Sequence, residues 1–191
     1  ANIALGVNAL TSLLTGTRNI AIGNNAMYDL DAGTTAQDSD DNIFIGYLAG
    51  GGAWVDVKSE FNVAIGNYAM DSALNGANYS VAVGYNALGT LTTGDSNVAI
   101  GENAGGGLTT GHSNVIIGRR AGDATADVDR VVIIGDSAAS NGNLTSNADG
   151  TVIIGQAAGT NLSTGIGNNF IGHNAGYNNT TGGYNTAIGK T

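Results

Sequence analysis

Asn97-Val98-Ala99-Ile100-Gly101 returns 17 residues later as Asn114-Val115-Ile116-Ile117-Gly118, and the same phase runs through the whole chain. With the Asn or its replacement as position one, units begin at residues 2, 19, 42, 62, 80, 97, 114, 131, 151, 168 and 185, and six of the ten intervals are 17 residues. So short a unit cannot enclose a core by itself; its apolar face must be covered by the next unit. The chain is thereby restricted to architectures in which like stacks on like.

Position five is Gly in all eleven units and position eight is Ala in all ten complete ones. Between Asn and Gly lies a short, mostly β-branched run, and helical spacing of apolar residues is not sustained anywhere. These features predict an all-β fold, a β-solenoid (parallel β-helix or β-roll) of about eleven coils of ~17 residues, with equivalent strands ~4.8 Å apart. Residues 1–191 read as one continuous rod. The longer intervals place loop insertions near 31–41, 51–61 and 140–150, pointing away from the packed body.

Position four holds Ile22, Ile45, Ile65, Val83, Ile100, Ile117, Ile134, Ile154 and Ile171, expected with position two to form the coil core. Leu13, Leu30, Leu91, Leu108 and Leu162 add an internal column at position twelve. The Asn residues of position one are expected to form an amide ladder. Gly101, Gly118, Ala104 and Ala121 mark tight corners. Position three should then face outward, and it is apolar throughout; Ala82, Ala99, Ile116, Ile133, Ile153 and Phe170 read as an inter-chain interface. An apolar stripe of that length calls for a partner, and a second copy of the same rod about a symmetry axis is the simplest one. A homotrimer is favoured over a dimer, with the larger residues of the C-terminal half filling a wider axis.

The rest of the composition narrows function by exclusion. Zero Cys removes thiolate metal sites and thiol nucleophiles. Six Lys and Arg against fifteen Asp and Glu, a net charge of −9, offer no basic patch for nucleic acid. No apolar run suits membrane insertion. Charged residues make up 11% of the chain, and His112 and His173 occupy different repeat positions, leaving little for acid–base work. We therefore expect no enzyme, no catalytic residue, no metal and no cofactor. Asp38, Asp40 and Asp41, and Asp123, Asp127 and Asp129, match no calcium-loop spacing and read as solvated carboxylates. Trp54 enters an inserted loop, where packing onto the rod outweighs stacking on a sugar. Thr92-Thr93 and Thr109-Thr110 admit an ice-binding face, and paired carboxylates a polysaccharide-cleaving tailspike; both are lesser readings.

"NVAIGENAGGGLTTGHS" (97–113) and "NNFIGHNAGYNNTTGGY" (168–184) resemble the repeat arrays in the shafts of bacteriophage tail fibres, and their "VAIG" strand is similar to the head repeats of trimeric autotransporter adhesins. The resemblance implies a homotrimeric rod in a virion tail fibre or at the extracellular cell surface, with a host glycan or protein bound through flanking regions. A bacterial surface adhesin or extracellular filament subunit is the alternative it leaves open.

Overall fold

The computed structural model describes residues 1–28, 38–55 and 57–190. Each coil contributes one three-residue strand: β1 (Ile3–Leu5), β2 (Ile20–Ile22), β3 (Ile43–Ile45), β4 (Val63–Ile65), β5 (Val81–Val83), β6 (Val98–Ile100), β7 (Val115–Ile117), β8 (Val132–Ile134), β9 (Val152–Ile154), β10 (Asn169–Ile171) and β11 (Thr186–Ile188). The eleven strands form one parallel sheet in chain order, so the chain is an all-β solenoid of about ten turns. Register survives the irregular spacings: Ile3 lies opposite Ile20, Ile20 opposite Ile43, and Val132 opposite Val152.

Each coil is bent by left-handed backbone at four places. In the coil beginning at Asn114 these are Ser113 (φ 60), Gly118 (φ 134), Arg120 (φ 56) and Gly122 (φ 56). Only Gly tolerates the angle at position five, and stacking forbids a side chain there as well: a Cβ on Gly101 would lie 2.6 Å from the Gly118 carbonyl oxygen. Three residues on, buried Ala104 and Ala121 donate their N–H groups to the Gly101 and Gly118 carbonyls at 3.2 Å, closing the corner.

The strands face the opposite way from the expectation. Ala82, Ala99, Ile116, Ile133 and Ile153 are 0% exposed and Phe170 is 1% exposed, all inside their own coil. They cannot be an inter-chain interface. Ile22, Ile45, Ile65, Val83, Ile100, Ile117, Ile134, Ile154 and Ile171 point outward and are half-buried or exposed, reaching 40% at Ile65 and Ile100. They are not the coil core. The cause is the two-residue period of a strand: Asn at position one is buried, so position three shares its side and positions two and four take the other.

Inside, residue sizes compensate across the coil. Positions three and nine face one another, and a small residue at one meets a large residue at the other: Ala21 with Met27, Ala64 with Met70, Ala82 with Leu88, and conversely Phe44 with Gly50, Ile116 with Gly122, Phe170 with Gly176. A Cβ on Gly50 would lie 2.6 Å from the Phe44 ring. Ala99 and Gly105 are both small, and the space is entered by Leu88 and Ile116 from the coils on either side. The larger residues toward the C-terminal half thus fill their own coils, not a widening axis between chains.

The Asn column does not form primarily an amide-to-amide ladder. The Oδ1 of Asn97 accepts the Asn114 N–H at 3.1 Å, and that of Asn114 accepts the Val131 N–H at 3.0 Å, while their Nδ2 groups donate across their own coils to the Gly111 and Val128 carbonyls at 2.8 and 2.7 Å. Amide pairs are added at some steps, such as Asn114 Nδ2 to Asn97 Oδ1 at 3.0 Å. Leu91, Leu108 and Leu162 are buried in one column and Leu13 is half-buried beside it; Leu30 and residues 31–37 of the first insertion lie outside the described residues. The other insertions are not simply external loops. They supply Trp54 to the core in one coil and Leu144 and Ala148 in another, the latter from a short 3-10 turn, Ser146–Ala148.

Candidate interaction surface

Turning position three inward leaves a different apolar face outside. Position two is Ile or Val from β1 to β9, position four is Leu, Ile or Val in all eleven strands, and neither column contains a charge. Parallel pairing stacks like on like, so neighbours cover each side chain's flanks and leave its tip to solvent. The result is an uncharged strip running the length of the sheet, aliphatic but for Asn169 and Thr186 in β10 and β11, and on the order of 50 Å long at ~4.8 Å per strand.

The two ends of the strands are less uniform. Just before the strand sits a left-handed residue: Ser96, Ser113, Gly150 and Gly167 in four coils, Arg18, Asp41 and Arg130 in three, Tyr184 (φ 57) ahead of β11, and Phe61 (φ 60) and Tyr79 (φ 56) ahead of β4 and β5. The Phe61 and Tyr79 rings stack with centroids 5.0 Å apart and planes 2° from parallel, and they are 43% and 61% exposed. Just after β3, β4 and β5 stand Tyr47, Tyr68 and Tyr85, joined edge-to-face at 5.4 and 5.5 Å. Both ends of β4 and β5 therefore carry aromatic groups, all exposed but the half-buried Tyr68. Sequence reasoning does not single these residues out; the signal for Phe61 and Tyr79 is a bulky ring at a turn that four other coils make with Ser or Gly.

Ion pairs occupy other stretches of the strand ends: Arg18 with Asp41, Arg119 with Asp136 at 2.8 Å, and Arg130 with Asp149 at 3.1 Å. A hydrogen bond from Arg18 lowers the Asp41 carboxyl below its ordinary value. These groups are exposed and screened, so they contribute little to stability. Beneath the tyrosines, burial pushes the Asp71 carboxyl up to about 6, against the pull of a hydrogen bond from Gly51.

Several of the acidic and imidazole side chains serve as structural hydrogen-bond partners. Asp40 accepts from the Thr17 hydroxyl at 3.1 Å, Asp123 pairs with Arg120, Asp127 accepts the Ser146 N–H and Asp129 that of His112 at 2.7 Å. His112 Nδ1 in turn accepts the Asp95 N–H at 3.0 Å. Trp54 is 0% exposed, donates to the Gly50 carbonyl at 3.0 Å and packs edge-on against Phe44, so it is no platform for a sugar. The Thr92 and Thr109 hydroxyls bond carbonyls of the next coil, at 3.0 Å each. Among the described residues there is no enclosed pocket and no group of three or more acidic or imidazole side chains placed to hold a metal. Comparison with protein-family models, curated proteins and solved structures found no match.

Proposed function

We propose that this chain is a structural rod segment of a fibrous attachment protein, in the manner of a phage tail-fibre shaft, assembled as a homotrimer in which the aliphatic strips close around a common axis. The observation that carries this reading is the strip itself: uncharged, and as long as the sheet. Soluble monomers rarely leave a contiguous apolar face of that length uncovered. A rod whose coils add length one step at a time and whose exposed face repeats with the same step suits a spacer that holds a recognition element away from its base.

The test is the solution mass of the purified segment against a variant carrying Ile100→Lys and Ile117→Lys. Both residues face outward, so the variant keeps its coil core. Light scattering should give three times the 18.9 kDa chain mass for the parent and the chain mass for the variant, with unchanged far-ultraviolet circular dichroism. A monomeric parent, or a trimeric variant, would sink the reading.

A further inference from the structure

A strip this repetitive poses a problem of alignment. A neighbouring rod displaced by one coil, ~4.8 Å, meets almost the same Ile and Val columns, so the strip favours contact without choosing a height. Turning one rod end for end is opposed no better. Something that does not repeat must fix both.

We propose that Phe61 and Tyr79 at the starts of β4 and β5, with Tyr47, Tyr68 and Tyr85 at the finishes of β3, β4 and β5, form an inter-chain clasp that aligns parallel copies of this chain at one height; the proposal rests on the homo-oligomeric reading above. In a parallel ring about an axis along the rods, the strand-start edge of one chain lies against the strand-finish edge of the next. Phe61 then meets Tyr68 and Tyr79 meets Tyr85, because each pair belongs to opposite ends of one strand, β4 and β5 respectively. Antiparallel packing brings the aromatic coils toward the other half of the rod, where Arg119, Arg120, Arg130 and Asp136 stand.

Closure of the ring sharpens the choice. The axial offsets around a closed ring must sum to zero, so a one-coil slip at one interface requires an opposite slip elsewhere. One direction of slip still pairs Phe61 with Tyr47 and Tyr79 with Tyr68. The other keeps Phe61 against Tyr85 but sets Tyr79 against Glu102 and Tyr68 against Asp41. Only the aligned ring gives both Phe61 and Tyr79 an aromatic partner at every interface; the third strand-start aromatic, Tyr184 ahead of β11, stands level with Lys190 and does not enter the choice. Phe61 (φ 60) and Tyr79 (φ 56) occupy left-handed turns that Ser96 and Ser113 make at φ 60, so a bulky ring is not what the turn requires.

The chain has no Cys, which makes cysteine cross-linking a clean test. Ser113→Cys with Arg119→Cys places thiols at opposite ends of β7, too far apart within one chain at ~3.3 Å per residue for a disulfide to form there. Ser96→Cys with Arg119→Cys is the pair offset by one coil. In the otherwise unaltered protein the aligned pair should cross-link chains at least about tenfold faster than the offset pair. Adding Phe61→Ser and Tyr79→Ser, which the equivalent coils show to be compatible with the turn, should bring the two rates together. Undiminished preference for the aligned pair in that variant would overturn the clasp, and doubly so if the variant instead lost binding on a glycan array. A parent that does not assemble at all overturns the oligomer reading and the clasp with it, a result distinct from an assembled protein with unaltered alignment.

Discussion

Phe44 and Gly50 lie six residues apart in one coil, between coils that put Ala21 with Met27 and Ala64 with Met70 in the same two places. Filling is therefore a property of the pair. Phe44→Ala alone removes a buried ring and should cost about 3–5 kcal/mol. Gly50→Met alone drives a side chain into that ring and should also destabilise, by about 1–3 kcal/mol. Combined, they recreate the arrangement of the neighbouring coils, whose Met27 and Met70 already adopt φ near 50. Thermal and urea unfolding of the four proteins should show the double variant well above Phe44→Ala, short of full recovery because Trp54 loses its edge-on partner. A double variant no better than the sum of its parts would contradict the pairing. This compensation is legible in the sequence only when two positions are taken together: Ala82, Ile116 and Phe170 look like an outer stripe until they are set beside Leu88, Gly122 and Gly176.

At the scale of the strand, number, order and register followed from counting residues between Asn and Gly, because a seventeen-residue period admits few other windings. The direction of the faces did not follow. All three residues of most strands are apolar, so hydropathy cannot separate inside from outside; the buried Asn at position one supplies the missing reference. That side chain also ties the strand to the return segment of its coil. Asn114→Ala would strand the Val131 N–H and the Val128 carbonyl, now bonded at 3.0 and 2.7 Å, and should cost about 2–4 kcal/mol. Asn114→Ser should cost less, because Ser80 at the equivalent position accepts the Asn97 N–H at 3.1 Å. Denaturant titration of the two variants distinguishes them, and equal losses would mean that the bond to the next coil contributes nothing. The surface aromatic pairs were legible only as unusual residues; their placement at both ends of β4 and β5 needed the register.

For the whole molecule, every strand touches only the strands before and after it, so stability is a sum over adjacent coils. Removing one complete unit, residues 114–130, should leave a folded rod shorter by ~4.8 Å in its maximum dimension by small-angle scattering. Removing residues 114–122 alone deletes about half a turn and should abolish the cooperative unfolding transition. If both deletions behaved alike, the coil would not be the unit of folding.

The hydrogen bonds that join coils, such as Gly101 N–H to the Val83 carbonyl and Gly118 N–H to the Ile100 carbonyl, both 2.8 Å, connect each coil to the next along the stacking direction. Tension applied to the two termini of a single rod therefore falls first on the outermost junction, where one coil can peel away while those behind it keep their bonds. Each detached turn of 17 residues pays out slack of roughly 50 Å, its extended length less the one step of rise it occupied. A chain built this way lengthens under load in equal instalments, from its ends inward, and absorbs a pull coil by coil before its middle is disturbed.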